Sequence, residues 1–135
     1  MLERVSAERL HVARAFGVEL PSIHQWLLDA YGLGGDDLAE TFRRLTYEPT
    51  GPYQWTPTPK SMEHKYVTED VPCGLVAMAG LGDAAGVATP VIDGLIALSG
   101  TMLGRDFTKE GRSLAALGLT GKSTEQIKTV FELGP

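Results

Sequence analysis

The sequence is poor in the residues that build disulfide-linked, metal-binding and nucleic-acid-binding proteins. It contains one cysteine, Cys73, so an internal disulfide or a cysteine-ligated metal knuckle is excluded. Its 12 lysine and arginine residues are outnumbered by 17 aspartate and glutamate residues, which gives a net charge of −5. Nucleic acid and anionic membrane surfaces are therefore disfavoured as partners, because binding phosphate requires clustered cations.

Long apolar runs are also missing. No stretch approaches the roughly 20 apolar residues that span a bilayer, and the first ten residues are too charged for a signal peptide. A single thiol is typical of a reducing compartment. We therefore expect a soluble, cytoplasmic protein that does not enter membranes, and its 135 residues are a common size for one compact domain.

Helical spacing of apolar residues is the main pattern that is present. A first helix is expected to end near Gly17, and a second to carry Pro21 in its first turn and to end at Gly32. A third helix is expected to begin with Asp36 or Asp37 as its cap. No alternating strand pattern of any length occurs, so the fold class is predicted to be all-α.

The stretch from residue 46 to residue 60 interrupts this pattern because it contains four of the eight prolines. Proline removes a backbone donor and restricts the residue before it, so regular helix is excluded here. We expect a long ordered loop that is packed down by Tyr53 and Trp55.

Helical signals resume in the second half of the chain. Pro72 is expected to open a helix, and Thr89 to cap the next one, with Pro90 at its first position. The segment Val91–Leu103 is apolar nearly all round, which predicts the central buried helix of the domain.

Two shorter helical segments complete the prediction. One is amphipathic and runs over Thr108–Leu117, and the other follows a capping box at Ser123–Gln126. The sequence therefore predicts one domain over residues 1–135, a compact bundle of about six or seven helices without internal repeats.

The densest group of side chains that could take part in catalysis or substrate binding lies between Ser61 and Leu75. Glu69 and Asp70 precede a predicted helix, where acids are common and gain about 0.3–1 kcal/mol from the helix dipole, so a structural role is favoured on chemistry alone. The functional alternative is an aspartate that orients a histidine for acid–base catalysis. Lys65 is either a solvated charge or, in a cleft, a group that attracts a substrate carboxylate.

Three other features are interpreted as structural. His64 has no metal-ligand spacing around it and is expected to be a solvated loop histidine. Cys73 has no partner base nearby and is expected to be a buried, inert thiol. The glycines of Gly80–Gly86 follow helix-like residues rather than a strand, so they predict a helix-ending turn and not a phosphate-binding loop.

The run Lys65-Tyr-Val-Thr-Glu-Asp-Val-Pro-Cys-Gly-Leu-Val76 resembles the Arg-Tyr-x-x-Glu-Asp-Val-Pro-x-Gly-Leu signature of the octopine/nopaline (opine) dehydrogenase family. The similarity continues in register at Leu81-Gly-Asp83, at Gly86-Val-Ala-Thr-Pro90 and at Gly111-Arg-Ser-Leu-Ala-Ala-Leu-Gly-Leu119. Residues 8–9 and 17–21 resemble the opening of the family's helical domain, so the resemblance covers most of the chain.

The resemblance implies a fold and an activity. Family members combine an N-terminal Rossmann domain with an all-helical domain like the C-terminal domain of 6-phosphogluconate dehydrogenase. They condense a 2-oxo acid reductively with the amino group of an amino acid, using NADH or NADPH, in a cleft between the domains. The resemblance identifies residues 1–135 as the helical, substrate-side domain, without the nucleotide-binding domain.

The resemblance also implies roles for individual residues. Asp70 matches the family aspartate that pairs with a catalytic histidine, which belongs upstream of the part represented here. Lys65 matches an arginine that holds a substrate carboxylate, and Tyr66, Glu69 and the loop around Trp55 are expected to line the cleft. Lysine departs from the family pattern there, since an ammonium group cannot reproduce the bidentate contact of a guanidinium.

The sequence contains neither a dinucleotide fingerprint nor the matching histidine, so the chain alone is expected not to bind NAD(P)H or to turn over substrate. One hypothesis is a split enzyme, completed by a separate Rossmann-domain subunit. Another is a non-enzymatic helical module that binds a small carboxylate or forms a homodimer. A third is a truncated gene remnant or a domain cut from a longer chain.

Overall fold

A computed structural model describes residues 1–133, and all regular secondary structure within them is helical, as the sequence predicts. Six helices have nine or more residues, and two are single turns, which agrees with the expected bundle of six or seven. A π-helical turn, Val71–Leu75, joins the fourth and fifth helices. The helices are α1 (Leu2–Ala15), α2 (Ile23–Tyr31), α3 (Leu38–Tyr47), α4 (Lys65–Thr68), α5 (Val76–Ala85), α6 (Pro90–Leu103), α7 (Phe107–Glu110) and α8 (Thr124–Leu133).

Most helix ends follow the local signals in the sequence. Gly32 ends α2 in the left-handed conformation, at φ 61°. The Asp37 carboxylate accepts a hydrogen bond from the Glu40 N–H at 2.7 Å and so caps α3. Pro21 was expected inside α2 but lies before it, because the Ser22 hydroxyl is the group that caps this helix.

The capping box before α8 is confirmed in both directions. The Ser123 N–H donates to the Gln126 side chain at 2.9 Å, and the Gln126 N–H donates to the Ser123 hydroxyl at 3.3 Å. None of the helices described in residues 1–133 has both the length and the apolar character needed to cross a bilayer.

The buried side chains form two clusters. The larger one combines Val71 of the π-helical turn, Val76 of α5, Ile92 and Ile96 of α6, and Phe107 of α7. It therefore lies directly beneath the segment in which the sequence places the candidate site. The smaller cluster joins α2 to α3 and is built on Leu27, Leu38 and Leu45.

Helix α6 is buried on one side only, which corrects the prediction of a helix that is buried all round. Ile92 and Ile96 face the larger cluster. On the opposite side, the side chains of Leu98 and Met102 remain 57% and 53% exposed. The apolar pattern could not reveal this, because it records which residues avoid water and not which of them have a neighbour.

The N-terminus of α6 is capped from a distant helix. Thr89 occupies the cap position, as predicted, but its side chain makes no cap hydrogen bond and donates instead to Asp93. The Glu8 carboxylate of α1 accepts the N–H groups of Val91 and Ile92, each at 2.9 Å. This contact ties α1 to α6 and satisfies two amides that would otherwise lack partners.

The proline-rich loop is held by one of its two predicted anchors. The Tyr53 hydroxyl lies 2.8 Å from the Tyr31 hydroxyl, and the Tyr53 N–H donates to the Leu45 carbonyl at 3.0 Å. The hydrogen bond with Tyr31, followed by burial, raises the pKa of Tyr53 to about 12. Trp55 was expected to pack beside it, but its side chain is 86% exposed, so that prediction is wrong.

The segment after α7 is less helical than predicted. Only Phe107–Glu110 forms a helical turn, whereas a helix was expected to reach Leu117. The chain turns away at Gly111, where a Cβ atom would lie 2.5 Å from the Pro72 carbonyl oxygen. The next amide, that of Arg112, donates to the same carbonyl at 2.8 Å. Contact with the π-helical turn thus replaces continuation of the helix.

Replacing Glu8 with alanine is expected to lower the free energy of unfolding by about 1–3 kcal/mol, because two half-buried amides lose a charged acceptor. Urea unfolding followed by circular dichroism measures this effect. Glu63→Ala, in an exposed loop position, is the matched control and should change stability by no more than about 0.5 kcal/mol. Equal midpoints for the two variants would show that the cap does not hold α6.

Replacing Tyr31 with phenylalanine is expected to lower the pKa of Tyr53 from about 12 toward the ordinary value of 10.0, since the largest cause of the shift is removed. Because folding favours the neutral phenol, its stabilising contribution is present below about pH 10 and is lost as the pH rises toward 12. Titration of ¹³C-labelled tyrosine ring carbons by NMR reads the pKa directly. A Tyr53 titration unchanged by the substitution contradicts the account.

Candidate functional site

The four residues predicted to form the site follow one another along α4 and into the π-helical turn. Lys65 and Tyr66 begin α4, Glu69 ends it, and Asp70 directly precedes Val71. The side chains of these four site residues are exposed. The structure thus brings them together on one surface, through short-range connection along the chain.

His64 fixes the start of α4. Its Nδ1 atom accepts a hydrogen bond from the Tyr66 N–H at 3.3 Å, and its ring lies edge-on to the Tyr66 ring, with 4.4 Å between centroids. The neutral imidazole in this contact carries its proton on Nε2. His64 is therefore a half-buried helix cap and not the solvated loop histidine that was expected.

Lys65 presents an ammonium group next to an aromatic ring. Its Nζ atom lies 5.9 Å from the centroid of the Tyr66 ring, near the outer limit of a cation–π contact. In the part of the chain that the structure describes, no carboxylate lies within 4.0 Å of this nitrogen. The charge is consequently available to an anion that approaches from solvent.

Three aromatic side chains form a row of contacts between α2 and the proline-rich loop. Trp26 and Tyr31 contact each other edge-on at 6.1 Å, and Tyr31 contacts Tyr53 in the same way at 5.6 Å. The hydrogen bond with Tyr31 is the largest cause of the raised pKa of Tyr53, followed by burial. No sequence pattern predicts this aromatic strip (Trp26, Tyr31 and Tyr53), because its members come from α2 and from the proline-rich loop.

Asp70 combines an exposed side chain with a firmly held backbone. The two residues after it, Val71 and Pro72, are buried, and the Pro72 carbonyl accepts the Arg112 N–H at 2.8 Å. The Asp70 carboxylate caps none of the N–H groups of the turn that it precedes. Chemistry alone favoured a helix-capping role for this acid, but its carboxylate makes no capping hydrogen bond. The carboxylate oxygens of Asp70 can therefore accept a hydrogen bond from another molecule.

Two further expectations concern the same region. Cys73 is exposed, so the prediction of a buried thiol is wrong: the π-helical turn directs Val71 and Pro72 inward and leaves the next side chain outside. The segment Gly80–Gly86 is the end of α5, and Gly86 adopts φ 67°, which confirms a helix-ending turn.

Two clefts of the helical bundle lie away from the four site residues. A cleft of about 450 Å³ opens between α5, α6 and residues 113–115, and a strongly apolar one of about 370 Å³ lies between α1, α5 and α8. Neither is lined by the site residues. Within residues 1–133, no group of three histidine, cysteine, aspartate or glutamate side chains is placed to hold a metal ion.

The candidate site is an exposed surface and not an enclosed cleft. It offers a cation at Lys65, carboxylates at Glu69 and Asp70, and a phenol at Tyr66, all on its outer side. Such a surface can bind a molecule with both a carboxylate and an amino group, but water reaches it freely. Exclusion of water requires a second wall.

Comparison with known proteins identifies the family to which this domain is similar. The family model described as NAD/NADP octopine/nopaline dehydrogenase, alpha-helical domain, matches residues 1–103. This range includes all four site residues and most of the buried core.

Three relatives extend the match over nearly the whole chain. The opine dehydrogenase of Arthrobacter sp. (strain 1C) is 35% identical over 132 residues, covering 98% of this chain and 35% of the relative. The vitopine synthase of Allorhizobium ampelinum is 31% identical over 93% of this chain and 34% of its own length. For the octopine dehydrogenase of Pecten maximus, the identity is 29%, over 90% of this chain and 33% of the relative.

The chain thus spans about a third of the length of the relatives that it matches. The family match and the all-helical fold agree with each other, and both agree with the signature that begins at Lys65. The chain belongs to the octopine/nopaline dehydrogenase family, of which it carries the alpha-helical domain.

Proposed function

We propose that this domain forms the substrate-side wall of an opine dehydrogenase active site, in which an amino acid is condensed reductively with a 2-oxo acid. The observation that carries the proposal is the construction around Asp70: an open carboxylate on a backbone that is anchored by the buried residues Val71 and Pro72. A catalytic group must be held in a fixed position while it stays accessible to its partner, and this arrangement meets both conditions.

Asp70 is proposed to act on a histidine that the other wall supplies. A carboxylate next to an imidazole fixes its tautomer and stabilises its protonated form, which suits the transfer of protons to and from the reacting carbonyl and amine. His64 is a poor candidate for this partner, because its Nδ1 atom is engaged by the Tyr66 N–H.

Lys65 is proposed to hold a substrate carboxylate, with Tyr66 and Glu69 beside it. The ammonium group attracts an anion as a point charge, so it binds the carboxylate without fixing its plane. Glu69 offers a negative charge to the substrate's amino group, and the Tyr66 hydroxyl offers a hydrogen bond. Substrate binding is expected to remain, with looser orientation than an arginine would impose.

The residues described here do not fit a dinucleotide. They form helices only, so they lack the strand–turn–helix unit whose amides cradle a pyrophosphate, and the glycine-rich segment Gly80–Gly86 is the end of α5. We propose that NAD(P)H binds to a Rossmann-fold domain or subunit that faces Asp70. The helical domain alone is then expected to be inactive, whether the complete site is built from one polypeptide or two.

In the complete site, replacing Asp70 with asparagine is expected to lower kcat by about 10²- to 10⁴-fold, because the amide keeps the shape but not the charge that stabilises an imidazolium. The chain, co-expressed with a Rossmann-fold nucleotide-binding subunit, is assayed by NADH oxidation with an amino acid and a 2-oxo acid. The same assay without that subunit should show no turnover.

Asp36→Asn provides the matched control, since Asp36 is an exposed aspartate before α3 with no proposed role. Its kcat should stay within about twofold of the unsubstituted protein, a change of less than 0.5 kcal/mol in the barrier. Full activity of the Asp70→Asn protein would remove Asp70 from the mechanism. Turnover by the chain alone would refute the need for a second wall.

A further inference from the structure

Arg112 reaches the candidate site from a distant part of the chain. Gly111, the residue before it, is buried, and a Cβ atom there would lie 2.5 Å from the Pro72 carbonyl oxygen and 3.0 Å from the Pro72 Cα atom. Glycine is the residue that allows so close an approach. The Arg112 N–H donates to the same carbonyl at 2.8 Å. The backbone of Arg112 is therefore fixed against the turn that follows Asp70.

The side chain of Arg112 is exposed, although its backbone is held. Within residues 1–133, no carboxylate lies within 4.0 Å of its guanidinium group. Arg105, just before α7, differs from it, because its guanidinium donates to the Glu110 carboxylate at 2.8 Å. Arg112 thus keeps its planar set of donors for an anion that approaches from solvent, and such a set matches both oxygens of a carboxylate.

Lys65 and Arg112 are close enough to bind the same small molecule. The backbone is helical from Lys65 to Pro72, and at a rise of about 1.5 Å per residue this run is about 10 Å long. An extended lysine or arginine side chain spans about 6 Å from Cα to its charged group. Because the Arg112 amide is bound to Pro72, the two cations start from the two ends of the run, with Glu69 and Asp70 between them along the chain.

The product of the proposed reaction carries two carboxylates. Reductive condensation joins the nitrogen of an amino acid to the carbonyl carbon of a 2-oxo acid, with hydride from NAD(P)H and loss of water. One carboxylate then stands on either side of the new secondary amine. Lys65 can balance one of them, but the other would be repelled by Glu69 and Asp70 unless a second cation lies nearby. Arg112 supplies that charge.

We propose that Arg112 binds the second carboxylate of the condensation product, so that Lys65 and Arg112 together recognise a molecule with two carboxylates. This inference rests on the proposed function and adds the residue that distinguishes an amino acid from an amine without a carboxylate. The guanidinium also makes the planar, bidentate contact that the ammonium group of Lys65 cannot make. Arg112 therefore fixes the orientation of the bound molecule as well as its charge.

NMR titration of the ¹⁵N-labelled chain tests this inference with two ligands that differ by one carboxylate. They are the reductive condensation product of pyruvate and alanine, and N-ethylalanine. Arg112→Met is expected to weaken binding of the dicarboxylate about tenfold, through the loss of one charged contact. Binding of N-ethylalanine should change by less than about twofold, because Lys65 alone can hold a single carboxylate.

Arg4→Met is the matched control and should change neither affinity. Arg4 is also exposed, and in the described part of the chain it has no carboxylate within 4.0 Å. Because Arg112 contacts Pro72 through its backbone N–H, Arg112→Met should leave the ligand-free amide signals of residues 71–76 unaltered. Arg112→Lys should recover part of the affinity for the dicarboxylate, since it restores the charge but not the planar donors.

The possible outcomes separate this inference from the proposed function. If the dicarboxylate still shifts residues 65–70 but Arg112→Met weakens neither ligand, or both equally, the role of Arg112 is overturned and the proposed function stands. If Arg112→Met disturbs the ligand-free spectrum, Arg112→Lys decides, and an affinity equal to that of the unsubstituted chain overturns the role. If the dicarboxylate shifts no signal of residues 65–70 in the unsubstituted chain, the proposed function fails, and this inference fails with it.

Discussion

Burial of Val71 and Pro72 holds the backbone of the candidate site against the core. Val71 packs with Phe107 and the inner side of α6, and the Pro72 carbonyl takes the amide of Arg112, which draws the chain after Gly111 against the π-helical turn. Glu8 adds a second link by capping α6 from α1. These contacts fix the backbone next to Glu69 and Asp70, whose side chains form no hydrogen bonds within residues 1–133.

An anchored backbone with exposed side chains explains how the domain can present reactive groups at its surface in fixed positions. The groups that could bind substrate, those of Lys65, Tyr66, Glu69 and Asp70, are exposed. The side of α6 that carries Leu98 and Met102 is a second exposed apolar surface. Because the chain spans about a third of the length of the relatives that it matches, such surfaces are expected, and we assign the one around Asp70 to substrates and a nucleotide-binding partner.

Sequence reasoning succeeded where a signal is local. Gly32, Asp37 and the Ser123–Gln126 box act within one helical turn, so their residue types predict their structure. It failed where a contact joins distant segments: the Glu8 cap spans more than 80 residues. Exposure of Cys73, Trp55 and one side of α6 likewise depends on what packs nearby, which residue type does not record. The family signature located the candidate site and its neighbours, but the roles assigned to Lys65 and Asp70 remain predictions.

The most direct test of the central claim is an NMR titration of the ¹⁵N-labelled chain with pyruvate, an amino acid and their reductive condensation product. We expect the condensation product to shift the amide signals of residues 65–70 most strongly, and Lys65→Met to abolish these shifts while leaving the rest of the spectrum unchanged. Shifts confined to the clefts beside α1 and α6, or an unaltered response of residues 65–70 in the Lys65→Met protein, would contradict this expectation.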